Sequence, residues 1–219
     1  FILHGRMILQ EPSLNSKCLC ESGKKYKHCC SLNLNITKTL SRITEKAILN
    51  IHTSKISEND KERFIEISTK MNDGKNDFKI YLKDLELIKK RNPDERRIYN
   101  LITVCYNQLG KNHKAFETLQ ETYEKFPDYL FAKTGLMRIA FYENNHQKYL
   151  DIFGGKFFDL KSLFPSRNEF HISEALDFYS VVGIYFARER KHYLSLQCLK
   201  IMTKLAPNHE LTHLLDREL

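Results

Sequence analysis

Four cysteines fall within thirteen residues of this 219-residue chain: Cys18, Cys20, Cys29 and Cys30. The pattern C-x-C-x8-C-C presents two tight thiol pairs separated by a loop. So short a segment has too little core to fold without covalent or metal support. Adjacent cysteines seldom bridge one another. The apolar start Phe1-Ile2-Leu3 lacks the basic flank and cleavage site of an export signal, and Met7 is the expected natural start. A reducing, cytoplasmic setting follows, where disulfides are rare. Four thiolates at about 2.3 Å from one divalent ion make a closed tetrahedral site with no position left for a reacting water. The spacing therefore predicts one structural zinc ion held by Cys18, Cys20, Cys29 and Cys30. Cys105 and Cys198 sit alone in helical apolar patterns and are expected to be buried as small hydrophobes.

The segment Asn15-Ser16-Lys17-Cys18-Leu19-Cys20-Glu21-Ser22-Gly23-Lys24-Lys25-Tyr26-Lys27-His28-Cys29-Cys30 resembles the SEC-C motif. That zinc module closes the preprotein translocase ATPase SecA and stands alone in many bacterial proteins. Cys-x-Cys, Ser-Gly-Lys-Lys-Tyr-Lys and the final cysteine pair all match. Lys17 and Leu19 stand where the family usually has proline, and Glu21 where it usually has glycine, so the first knuckle differs while every ligand is kept. Gly23 suits the positive φ of the turn between the metal pairs. Ser22 and nearby amides are placed to donate to the thiolates, and His28 is an alternative donor to Cys29 or Cys30. Lys24, Lys25 and Lys27 form a basic knob with Tyr26 beneath it. In SecA this motif binds the acidic chaperone SecB, and the resemblance implies a comparable acidic partner here.

Beyond the cysteines the sequence is helical. With 8 Gly and 5 Pro, the chain has little material for the turns of a many-stranded fold. Ile36, Leu40, Ile43, Ala47 and Ile48 recur at helical spacing, with Thr37 as a cap. Asn92-Pro93 and Phe126-Pro127 then mark a 34-residue period, the spacing of helix-hairpin solenoids. Residues 96–129 resemble a tetratricopeptide (TPR) repeat, with Tyr99, Tyr106, Gly110, Ala115 and Pro127 at its diagnostic positions. A second fit ends at Ala206-Pro207 and uses Tyr179, Gly183, Phe186, Ser195, Leu199 and Met202. The hairpin before Pro93 is degenerate, with Tyr81 at the small position, and an insertion is expected between Phe153 and Pro165. Stacking is obligatory, because one hairpin cannot bury its own apolar face.

The expected architecture is thus all-α: an N-terminal arm over 1–12, a SEC-C module over 13–35, and a TPR-like solenoid with a C-terminal capping helix over 36–219. The consensus places Arg97, Asn100, Arg138, Phe141 and Arg188 in the concave groove. With a net charge of +8, Lys and Arg numbering 35 against 27 Asp and Glu, that groove and the knob suit an acidic protein partner. The expected function is a non-enzymatic adaptor. Two alternatives stand beside it. One is a nucleic-acid- or ribosome-associated protein, whose binding would weaken steeply with salt. The other is a zinc metalloprotease, because His209-Glu210-Leu211-Thr212-His213 is a literal H-E-x-x-H. A protease needs a third ligand and only Asp216 and Glu218 follow closely, so a capping helix packing Leu211, Leu214 and Leu215 is the expected reading. The longest apolar stretches break within about ten residues, half of what a membrane span requires.

Overall fold

The computed structural model describes residues 13–18, 23–28, 36–45, 56–72, 77–153 and 159–219. These are mostly helical and divide into two compact units, 48–152 and 1–47 together with 153–219. No helix among the described residues is long and apolar enough to cross a membrane.

The 48–152 unit is a run of helices: α2 (Glu58–Asn72), α3 (Phe78–Arg91), α4 (Arg96–Gln108), α5 (Asn112–Lys125), α6 (Leu130–Tyr142) and the first residues of α7 (His146–Phe153). Each of α2 to α5 packs on the helix that follows it. Carboxylates start two of the helices: Asp77 accepts the Ile80 amide at 3.3 Å, and Glu95 accepts the Arg97 amide at 3.1 Å. Gly110 (φ +68) makes the turn between α4 and α5, where the 34-residue register places it. Phe126-Pro127 ends α5, and the Phe126 ring meets Tyr99 edge-on at 5.5 Å. Ile67, Tyr81, Leu85, Ile88, Ile98, Ile102 and Cys105 fuse α2, α3 and α4 into one core. Tyr81 is accommodated in that core, so the hairpin ending at Pro93 forms despite its departure from the consensus. Polar groups lock its ends: the buried Asp60 takes bonds from the Arg91 guanidinium and from Asn92 Nδ2.

The second unit is organised around α9 (Ile172–Arg188), with α10 (His192–Leu205) and α11 (Glu210–Glu218) packed on it. Also in this unit are α1 (Ile36–Leu40), which packs on α10, and the short helix α8 (Leu160–Leu163). Two-residue strands β1 (Ile43–Thr44) and β2 (Phe170–His171) pair in parallel, Ile43 opposite Phe170 and Thr44 opposite His171. The helical spacing from Ile36 to Ile48 predicts one helix there, and this is corrected: the helix stops at Leu40. The Arg42 carbonyl accepts the Phe170 amide at 2.9 Å, and the backbone that follows pairs with β2. Ala47 and Ile48 lie outside the described residues, and nothing is described of the Thr37 side chain. His171 and Glu174 form a capping box at the start of α9, and Arg167 grips Glu174 through both guanidinium nitrogens. Gly183 is the point of closest approach. A Cβ there would stand 2.5 Å from a methyl of Leu215 on α11 and 3.1 Å from Cys198 Cβ on α10.

Candidate metal knuckle and its basic face

The knuckle begins as a two-rung hairpin. The Cys18 amide donates to the Lys24 carbonyl at 2.8 Å and the Tyr26 amide to the Ser16 carbonyl at 2.9 Å, so Lys17 and Lys25 stand directly opposite one another in an antiparallel bridge. Neither rung bonds Lys17 to Lys25 themselves, which makes them a non-hydrogen-bonded pair, the geometry in which facing side chains lie closest. Gly23, at φ +73, brings the chain back, as its expected role requires. The hairpin continues outward through the Lys27 amide, which donates to the Leu14 carbonyl at 2.9 Å, and ends in a 3₁₀ turn over Tyr26–His28.

Cys18 is 5% exposed and forms no disulfide, a buried thiol at the loop end of the hairpin. That position suits a knuckle ligand. Cys20, Cys29 and Cys30, with Ser22, lie outside the described residues, and among the described residues no three His, Cys, Asp or Glu side chains converge on a point. Two further thiols, Cys105 and Cys198, are described. Both are buried in apolar helix packing, and burial pushes Cys105 up to about 11 and Cys198 further still, keeping them neutral.

Tyr26 packs edge-on against Tyr193 of α10, ring centroids 5.9 Å apart, and the two hydroxyls share a hydrogen bond of 2.6 Å. The knuckle is thereby seated on a helix more than 160 residues away in sequence. Lys24 and Lys25 are exposed and Lys27 is half-buried. Two further residues of the hairpin are exposed: Lys17, opposite Lys25, and Leu14, 60% exposed, whose carbonyl accepts the Lys27 amide. Lys17 was legible only as a departure from the family's proline.

The groove set divides between the two units. Arg97 and Asn100 lie half-buried on α4 and Arg138 half-buried on α6, all in the 48–152 unit, whereas Arg188 is exposed at the end of α9 in the other. Arg97 is committed to Glu95 by two bonds of 2.7 Å and lies over the Phe64 ring. Arg188 stands 4.0 Å from Glu218. Phe141 requires a correction. It is 5% exposed and packs on Tyr149 with centroids 4.8 Å apart, because its position on α6 turns inward against α7 rather than into a groove.

His209 is the N-cap of α11, its Nδ1 accepting the Leu211 amide at 3.1 Å. It therefore precedes the helix that carries His213, and the side of that helix facing the core is made by Thr212 and Leu215, with Leu211 and Leu214 half-buried. This is the arrangement of a capping helix.

Residues 15–32 match the SEC-C motif family. No curated protein and no solved structure matches the chain.

Proposed function

We propose that the protein is a non-enzymatic, zinc-binding adaptor, built from a SEC-C knuckle and TPR-like hairpins, that binds an acidic segment of a protein partner. The zinc is structural and is held by Cys18, Cys20, Cys29 and Cys30. The observation that carries the reading is the Lys17–Lys25 pair. Like charges directly opposite in an antiparallel pair destabilise it, and here both are exposed on a hairpin of two rungs. An anion lying between the ammonium groups relieves that repulsion. Leu14 adds an apolar contact on the same hairpin, which suits a peptide carrying a hydrophobic side chain among carboxylates better than a bare phosphate backbone. The hairpin's described aromatic, Tyr26, is engaged with Tyr193 and offers no stacking platform for bases. The Nδ1 of His209 is spent on its cap, so the H-E-x-x-H pentad is read as structural. A cytoplasmic location accords with the thiol chemistry.

The test uses two probes of equal charge: a synthetic Glu/Asp-rich peptide with interspersed leucines, and a single-stranded oligonucleotide. Binding of the peptide in preference to the oligonucleotide, lost in Lys17→Glu/Lys25→Glu, is the expected result. Preference for the oligonucleotide overturns it. Elemental analysis should return about one zinc per chain, falling to near zero in Cys29→Ser/Cys30→Ser.

A further inference from the structure

The hairpin of α2 and α3 exposes two faces of opposite charge, each with an apolar centre. On α2, Ile65 is 43% exposed and shares a stripe with Glu58, Glu62 and Thr69, all turned away from the buried Ile67. On α3, Ile80 (52% exposed) and Leu87 (43%) run beside the exposed Lys79, Lys83 and Lys90, opposite the buried Tyr81, Leu85 and Ile88. The charges between the two helices are already spent. Arg63 of α2 holds Asp84 of α3 and Glu66, and Arg91 of α3 holds Asp60 of α2. Glu62, Lys79, Lys83 and Lys90 have no ion-pair partner among the described residues. The inner sides of α2 and α3 thus satisfy each other, and both stripes point outward.

We infer that the acidic α2 stripe of one copy docks on the basic α3 stripe of a second copy. Ile80 and Leu87 are seven residues apart, two helical turns and about 10.5 Å, with Lys83 between them on the same side of α3, and Ile65 docks against this apolar pair. Glu62 then meets the lysine row, with Glu58, which Lys61 holds at 3.1 Å, beside it. The complementarity is the argument for self-association: the two stripes carry opposite charge, each around exposed apolar side chains. The two patches differ, so the contact is heterologous. One helix face against another buries less than a standard-size interface, so the association is weak, concentration-dependent and reduced by salt. This surface uses none of the knuckle's lysines.

Sedimentation velocity on the full zinc-loaded chain tests it. The wild type should sediment faster as concentration rises, and this trend should be lost at high salt. Ile65→Asp and Leu87→Asp should each sediment as a monomer at every concentration. An equimolar mixture of the two should recover a dimer, because Leu87→Asp keeps its α2 stripe and Ile65→Asp keeps its α3 stripe. Both positions are exposed, and unchanged melting temperatures confirm folding; Ile65→Ser and Leu87→Ser repeat the test without an added charge. A wild type that stays monomeric at its solubility limit overturns the inference. So does a mixture that associates no more than its components, or association in which the variants match the wild type. Binding of an acidic peptide to Lys83 and Lys90 by a strictly monomeric chain would assign the α3 face to a foreign partner instead.

Discussion

The α4/α5 and α9/α10 hairpins follow one sequence pattern and have different fates. Tyr99 and Tyr179 take the same register position, as do Ala115 and Ser195, and a proline closes each hairpin at 127 and 207. Yet five of thirteen residues are buried in α4, against twelve of seventeen in α9. The difference lies outside the pattern. The α9 helix is packed by α10, the capping helix α11 and the β1–β2 pair, elements that no 34-residue period supplies. At the equivalent position of the two first helices, Thr103 bonds its hydroxyl back to the Tyr99 carbonyl at 2.9 Å, while Gly183 leaves room for Leu215. The same pattern accompanies a hairpin in both places, and the surroundings decide how far its first helix is enclosed.

The largest expected effect breaks the comparison at Gly183. Valine there would drive a branched side chain into Leu215 and Cys198, both fully buried. Overpacking of this kind should cost about 3 kcal/mol. Hydrogen exchange should rise through α9, α10 and α11 and stay unchanged in α4 and α5. Gly135→Ala on α6 is the milder control, because its new methyl meets only the flexible end of Leu119. Equal destabilisation by the two variants would refute the enclosure of α9.

Acid should separate the regions in the opposite direction. Hydrogen bonds from the Arg91 guanidinium hold the Asp60 carboxyl below its ordinary value, outweighing desolvation. At Glu95 burial pushes the carboxyl up, and the bonds from Arg97 outweigh it. For a depressed carboxylate, the stabilisation is fully present above the unfolded value near 4 and is lost as pH falls through the lower folded value. The 48–152 unit should therefore weaken from about pH 4 downward. Asp60→Asn should cost about 2 kcal/mol at neutral pH by removing charge-assisted bonds and should flatten this acid dependence. Chemical denaturation between pH 3 and 7 measures both.

Metal removal sharpens the contrast further. The Tyr26–Tyr193 contact ties the knuckle to α10, so chelation should loosen residues 13–28 and raise exchange at the start of α10, leaving α2 to α6 unaffected. Circular dichroism should keep most of its helical signal. A uniform loss of helix would mean that the zinc supports both units.

Much of this was legible in the sequence, for physical reasons that can be named. The hairpin over 96–129 was readable because positive φ at Gly110 and the missing amide of Pro127 are local demands. The small buried Ala115 is tied to a fixed period. The turn at Gly23 was readable for the same reason. The strand at Ile43 was not: a two-residue pairing with Phe170 is a tertiary event, and its local spacing suits a helix equally well. Phe141 misled because a consensus position fixes a helical face but not what packs against it; Tyr149 closes over it. Lys17 was invisible as a site residue because its significance comes from Lys25 across the hairpin, eight positions on.

The smallest effect concerns how the helices begin. The 48–152 unit starts α3 and α4 with carboxylates, Asp77 and Glu95, whereas the other unit starts α9 and α11 with imidazoles, His171 and His209. His209 Nδ1 accepts the Leu211 amide, and the following turn is held by Thr212 Oγ1, which donates to the Ala206 carbonyl at 2.8 Å. Removing the cap in His209→Ala should cost about 1 kcal/mol, a drop of about 2–4 °C in melting temperature for a chain of this size. His209→Asn keeps an acceptor two bonds from Cβ, as Nδ1 is, and should restore nearly all of it. His213→Ala, with its side chain exposed, should change nothing. The order of these three distinguishes a cap from a metal ligand: a zinc site built on the pentad would make His209→Asn and His213→Ala equally damaging, with a second zinc lost from each. Thermal melts of the three variants, with metal content measured on the same samples, decide between them.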